Sequence, residues 1–542
     1  MLGSRQSVVG DGWTPLTMNM DLKYTKLSCG ITANATAGRC RSPQQLAVAR
    51  TQLDVLRVLK EEGLAGVDAR DVQTYASALV LAAERGHSNN IRCLLDRGVA
   101  VDAPDRSQST ALHAAATIGR LETCELLLNA GAAVDRSDGN SCTPLMLAAR
   151  EGHADIVKTL LGRRAALEVQ NAQGETALSI AIQCGRQSIS RLLLSGGALV
   201  NTVDGDRMTP LMYAARNGHL ALVKLLISRQ ASLETFCKSG HSALHLAAEH
   251  GRLEVVRELL SAGADLMSRD SVDGLTPLMH AAAHGHTYIV KGLLPYLFQR
   301  GGDAIEVKSK KGCTALYLAA ANRHVAVCKL LLDVGGVAVD SAEWRGCTPL
   351  MAAAKRGFVD VAEVLLSRGA FVEAINSDGN RALEIAARNG RAPIVRLLLE
   401  NGAYVDAPNR TRGYTALATA ALCGRIEVVH LLLSHGANVK AQSCNGDTPL
   451  LLAATQGRSE VVRVLLANGA LPTAQNAAGE TPLSRAVAGG YVEVAALLRM
   501  ASGTKNRGAI STAPVCQSAG SFSLGRKGSM HPTTHVKAHK QT

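Results

Sequence analysis

Histidine is the residue through which this chain would most readily do chemistry. His280, His284 and His286 stand in the run His280-Ala-Ala-Ala-His284-Gly-His286, and His241 stands four residues before His245. Imidazoles four apart on a helix share a face and are a common way to hold a zinc ion. A third set, His531, His535 and His539, has the same interval, but Pro532 and polar neighbours oppose the helix it would need. Gly520 to Lys527 has a loose phosphate-loop spacing; it lacks the closing Lys-Ser or Lys-Thr and has no strand or helix around it. No Ser-His-Asp set, paired carboxylates or glycine-rich dinucleotide motif stands out. No catalytic residue, cofactor or metal ligand is assigned on this reading, and no enzyme is expected.

The elements that would carry those histidines recur. A helix-opening position returns at Ser77, Thr110, Thr143, Thr176, Thr209, Ser242, Thr276, Thr314, Thr348, Arg381, Thr415, Thr448 and Thr481. Most intervals are 33 or 34 residues, and that from Thr276 to Thr314 is 38. A fixed period of this length marks stacked supersecondary units. In the copy Ser242–Ala264, the hydroxyl can cap free backbone N–H groups, and Leu244, Leu246, Ala247 and Ala248 form one short apolar helix. Gly251 breaks it. Leu253, Val255, Val256, Leu259 and Leu260 then follow helical spacing in a second helix, which Gly263 ends. Neither helix can bury its apolar stripe alone, so each pair must stack on its neighbours.

The pattern resembles the ankyrin repeat, a T-P-L-H-x-A helix followed by a Gly-His turn and a closing L-L-x-x-G-A. Variants stand at Thr110-Ala-Leu-His113, Thr143-Pro-Leu-Met146, Thr209-Pro-Leu-Met212 and Thr348-Pro-Leu-Met351. The fold class implied is all-α: a solenoid of helix-turn-helix units with short β-turn or hairpin tips. Residues 1–41 are read as a flexible segment, 42–76 as a degenerate N-capping repeat, 77–500 as about thirteen repeats and 501–542 as a disordered basic tail. The resemblance also accounts for most histidines. His113 and His245 fill the T-P-L-H position, and His87, His153, His219 and His286 fill the Gly-His turn. His280 and His284 remain unassigned by the scaffold.

The resemblance implies where a partner would bind: the turn tips just before each Thr, and the two residues before each central glycine, both on the concave side. In the copies from Thr314 to Thr415 the tips hold Lys310, Lys311, Trp344, Arg345, Arg412 and Tyr414. The helix ends add Lys355, Arg356, Arg388 and Asn389, and Arg150 and Arg216 extend the series. Aromatic and arginine side chains together are the composition of an interface centre, and arginine grips carboxylate or phosphate with two parallel hydrogen bonds. A groove for an acidic or phosphorylated protein segment is therefore expected. The 38-residue interval brings Tyr288, Tyr296 and Phe298 into one stretch, as a secondary contact, and places Arg323 where other copies have the central glycine.

Overall charge is formally +13. The last 42 residues carry +6 and the first 42 carry +3, so only +4 is spread over the repeats. That balance, with 16 aromatics among 542 residues, argues against tracking a phosphate backbone or stacking bases. Nucleic acid is thus the alternative partner rather than the first. Thirteen scattered cysteines show no C-x-x-C pair, a usage suited to a reducing compartment. The N-terminus has no signal-peptide run and no stretch reaches membrane-spanning length. A monomeric, cytoplasmic protein-binding scaffold is expected, with the nucleus open as a second location. Arg526-Lys-Gly-Ser529 has the form of a basophilic-kinase site, making Ser529 a candidate phosphosite.

Overall fold

Threonine begins nearly every unit, and the reason is local. Thr143, Thr209, Thr276, Thr314, Thr348, Thr415, Thr448 and Thr481 each sit in extended backbone with Oγ1 accepting the N–H three residues on, as at Thr209 with Met212 (3.2 Å). Proline at the next position costs no hydrogen bond, because the first helical N–H groups have no helical partner. The computed structural model describes residues 78–96, 99–105 and 107–503. These hold 26 α-helices in thirteen pairs, from Ala78–Arg85 and Ser88–Leu95 to Pro482–Ala488 and Val492–Ala501, and no strand. The segment 1–41, the capping repeat 42–76 and the tail from 504 on, Ser529 included, lie outside the described residues.

The first helix of each pair packs mainly on the first helices of the units before and after it and on its own second helix. Alanine makes that approach possible. Ala115, Ala148, Ala214, Ala247, Ala281, Ala319 and Ala353, each five residues after its unit's opening position, are all fully buried. Larger side chains fill the layer beneath, and one continuous core runs from Leu79 to Leu498. No helix among the described residues is long and apolar enough to cross a membrane.

Two further contacts lock each unit to the next. Successive turn tips are joined by backbone hydrogen bonds, among them Gly139 N–H to Ser107 O (2.7 Å), Ala172 N–H to Asn140 O (2.9 Å) and Gly205 N–H to Gln173 O (2.8 Å). At the central glycine, the side chain that follows the next unit's own central glycine lies where a Cβ would be. His153 would come within 2.4 Å of such a carbon at Gly119, where φ is +88°. The same side chains reach back to a carbonyl two residues before the glycine, as His153 Nε2 does to Thr117 O (3.0 Å) and Arg252 Nε to Arg216 O (3.1 Å). This is what the Gly-His turn is for, and arginine serves as well as histidine.

Two copies depart from the pattern. Arg381 has no hydroxyl, and Glu384 caps in its place, accepting the Arg381 N–H (2.7 Å) while the guanidinium pairs with Glu373 (2.8 Å). In the 38-residue interval the second helix runs Thr287–Gln299, 13 residues where its counterparts have eight to ten, continues past Pro295, and is followed by a short 3-10 turn at Gly302–Ala304. Arg323 adopts the left-handed conformation of the glycine it replaces (φ 65°), its guanidinium pairing with Asp360 (3.1 Å) over the Phe358 ring.

Candidate functional site

The tips that carry the expected binding residues belong to the same hydrogen-bonded ladder. Trp344 N–H donates to Lys311 O (2.9 Å), Ser377 N–H to Arg345 O (2.8 Å), Arg410 N–H to Gly379 O (3.1 Å) and Cys444 N–H to Arg412 O (2.9 Å). Lys311 and Trp344 are therefore on adjoining tips, with Arg345 beside them, and Arg412 lies two tips further on. Trp344 is 73% exposed, an unusual position for an indole in a chain holding two tryptophans. Lys355 and Arg356, at the end of the first helix Pro349–Arg356, are exposed and make no ion pair among the described residues. Arg412 lies over the Tyr414 ring (6.0 Å), and Arg388 donates to Asn380 Oδ1 (3.4 Å).

Not every cation in the series is unpaired. Lys311 pairs with Asp273 (2.7 Å), and Arg345 with Asp378 (3.2 Å). Lys310 Nζ donates to the Ser271 and Val272 carbonyls. All three are exposed, and exposed contacts of this kind contribute little to stability. A competing carboxylate or phosphate can displace them. Tyr288, Tyr296 and Phe298 sit apart from the stripe, on the lengthened second helix. They do not fill the space its extra turn opens, since Leu293, Leu294 and Leu297 do that while Tyr288 is 79% exposed and Tyr296 and Phe298 point outward.

The histidines divide into two groups. His113 Nδ1 accepts the Thr110 N–H (3.1 Å), so its proton is on Nε2, which donates to Cys142 O of the next unit (3.1 Å). Burial, the main influence, holds its pKa below the ordinary 6.5, against weaker opposing pulls from Cys142 O and Asp138. His245 repeats the arrangement with Ser242, Ser268 O and Leu275 O, and burial pushes its pKa down to about 4. His153, His286 and His324 make the carbonyl contact at the central glycine.

His280 and His241 belong to neither group. The tip of the Thr276 unit brings Asp270 to them, a residue the sequence reading did not connect with either. Asp270 Oδ1 accepts the backbone N–H groups of Asp273 and Gly274 (both 2.8 Å), and Oδ2 accepts His280 Nε2–H (2.9 Å). His241 Nε2 is 3.9 Å from the same Oδ2, and its Nδ1 is 3.5 Å from Glu249 Oε2. The His241 and His280 rings meet edge to face with centroids 4.8 Å apart. Burial would raise the Asp270 pKa, but the two N–H groups and His280 outweigh it and hold the carboxyl below its ordinary value. His280 is held neutral, mainly by burial. His284, left unassigned with His280 by the sequence, turns its Nδ1 to the His280 carbonyl (3.0 Å) and its Nε2 toward Glu249 (4.0 Å).

The ten described cysteines are all free, and burial pushes the thiols of Cys124 and Cys328 up to about 12, so they act as small apolar side chains. Ser242 Oγ and Thr110 Oγ1 each lie 2.9 Å from the Nδ1 of a histidine, His245 and His113, but both pairs are buried at the start of a first helix.

Comparison with known proteins agrees with this geometry. A family model described as ankyrin repeats (3 copies) matches residues 44–138, 131–204, 192–270, 263–341, 335–409, 370–443 and 417–507. A crystal structure of the ankyrin repeat domain of Bcl-3, a member of the IkappaB protein family, is 33% identical, with 42% of this chain and 99% of that chain covered and a TM-score of 0.38. No curated protein matches. The repeat period, the threonine caps, the ladder of tips and the family match over most of the length lead to one assignment: the chain belongs to the ankyrin-repeat family.

Proposed function

We propose that the protein is a non-enzymatic interaction scaffold that binds an acidic or phosphorylated segment of a partner protein along the tips and first-helix ends from Lys310 to Tyr414. Ankyrin arrays bind proteins, and within this one the observation that carries the reading is Trp344. An indole 73% exposed on a rigid tip, beside Arg345 and Lys311, has no packing role in its own unit. Exposed aromatic anchors next to guanidinium groups carry much of the energy of protein interfaces. Lys355, Arg356 and Arg412 supply exposed positive charge with no ion pair within 4 Å among the described residues. An extended acidic strand laid across adjoining tips would meet these groups in order.

The test compares the full chain with a variant carrying Trp344→Ala, Arg345→Glu and Arg356→Glu, both used to capture partners from cell lysate. Circular dichroism verifies that the helices persist. The expected result is a protein retained by the parent and lost with the variant. Recovery of nucleic acid in place of protein, or identical proteins on both, would overturn the reading.

A further inference from the structure

We propose that His241, Asp270 and His280 form a binding site for a divalent transition cation of the zinc class. The ligand atoms of the three residues all lie within 4.8 Å of one another. Metal–ligand bonds of about 2.0–2.1 Å in a tetrahedron put ligand atoms about 3.4 Å apart. Two of the separations bracket that value: His280 Nε2 to Asp270 Oδ2 opens by about half an ångström from 2.9 Å, and His241 Nε2 to the same oxygen closes by the same amount from 3.9 Å. The two imidazole nitrogens, within 4.8 Å of each other, also have to approach. Two imidazoles and one carboxylate select zinc, cobalt, nickel or ferrous ions over calcium and magnesium, which take oxygen ligands. Three protein ligands leave a fourth position for water.

The surroundings supply what such a site needs. Asp270 Oδ1 is fixed by two backbone N–H groups, so Oδ2 is oriented before any ion arrives. Glu249 stands 3.5 Å from His241 Nδ1, close enough for a small movement to bring its carboxylate into hydrogen-bond range, and its other oxygen is 4.0 Å from His284 Nε2. Carboxylates recur in this supporting position around histidine-bound metals. His280 at neutral pH needs only to carry its proton on Nδ1 instead of Nε2 to become a ligand. All three side chains are enclosed, with 16% or less of their surface exposed, so few waters compete.

A purely structural role accounts for part of the arrangement. In the unit at Thr209, Tyr213 occupies the place of His280, and its hydroxyl donates to Asp204 (2.5 Å), the counterpart of Asp270. A hydrogen bond from the first helix to the tip carboxylate is therefore a brace that this solenoid uses elsewhere. The brace needs no second imidazole. His241, brought from the preceding tip with its own carboxylate behind it, is the feature that bracing leaves unexplained.

The full chain, freed of metal with a chelator, is titrated with zinc chloride and assayed by equilibrium dialysis. The parent should bind zinc with micromolar or tighter affinity at this site. Asp270→Asn should weaken that binding at least about ten-fold, and so should His241→Gln. Asp270→Asn should keep the fold, because Asn171 holds the equivalent turn with its side-chain oxygen (3.0 and 2.8 Å to the N–H groups of Gln173 and Glu175). His241 is the most exposed of the three, at 16%, so its variant keeps the assay informative should a change at Asp270 unfold the unit. Changing His531, His535 and His539 to Gln should leave the site's affinity unchanged. Absence of zinc uptake by the parent at micromolar concentration, or uptake unaltered by Asp270→Asn and His241→Gln, would overturn the proposal.

Discussion

His113 shows how much one side chain can do in this fold. Its Nδ1 satisfies a helix-opening N–H and its Nε2 reaches the next unit, so only the neutral ring fits both partners. Protonation at Nδ1 would put two donors face to face. Because burial lowers the folded-state pKa, the unfolded chain takes up a proton first as pH falls. The contribution of His113 to stability is thus complete above about 6.5 and is lost as pH falls from there toward the lower folded value. Asp138 and Asp105 act in the opposite sense and are weaker than burial. Urea unfolding at pH 7.5 and 5.5 should show a lower midpoint at the acidic pH. His113→Met, the residue found at the same place in Met146 and Met212, should reduce that difference. An unchanged difference would show that the ring is not the titrating group.

At the scale of one helix pair, the glycine before the second helix is the point of greatest constraint. Gly119 combines φ +88° with a would-be Cβ contact of 2.4 Å to His153, so Gly119→Ala should cost about 1–2 kcal/mol and lower the thermal midpoint. A neutral result would mean that the two units can separate slightly there without loss. Pairs of helices were legible in the sequence because period, caps and breakers all agree in the residues from Thr110 to Arg499. The Arg323 position was legible only as a missing glycine. That arginine would take up the glycine's own backbone conformation, with Asp360 to hold it, depends on a residue 37 positions away. Contacts made across the stack, at equal height in neighbouring units, are not written in any local spacing. His241, Asp270 and His280 are an example, since 29 and 10 residues separate Asp270 from its two partners on either side of a tip. Reading intervals of four along the chain drew attention to His284 instead, which is outside the three-residue group and lies 4.0 Å from Glu249.

For the whole molecule, a one-dimensional stack has consequences that a globular domain does not. Each unit touches only its neighbours, so stability is a sum of units and interfaces. Leu293 is fully buried in the lengthened second helix near the middle of the array. Leu293→Ala should cost about 2–5 kcal/mol locally and separate the unfolding of the two halves into distinct transitions in a urea titration. A single transition displaced as a whole would show cooperativity across the lengthened unit. The same linearity makes a long binding face, in which side chains from successive tips add. On the proposed function, partner chemistry follows from Trp344, Arg345 and Arg412 on the tips and Arg356 at a first-helix end, and the fold itself does not depend on those identities. The most direct measurement is fluorescence anisotropy of labelled peptide pools, one rich in glutamate and phosphoserine and one neutral, titrated with the full chain. The acidic pool should bind, weaken as salt is raised, and lose at least about ten-fold in affinity when Trp344→Ala, Arg345→Glu and Arg356→Glu are combined. Equal binding of both pools, or affinity for the acidic pool that the triple variant leaves intact, would contradict the account.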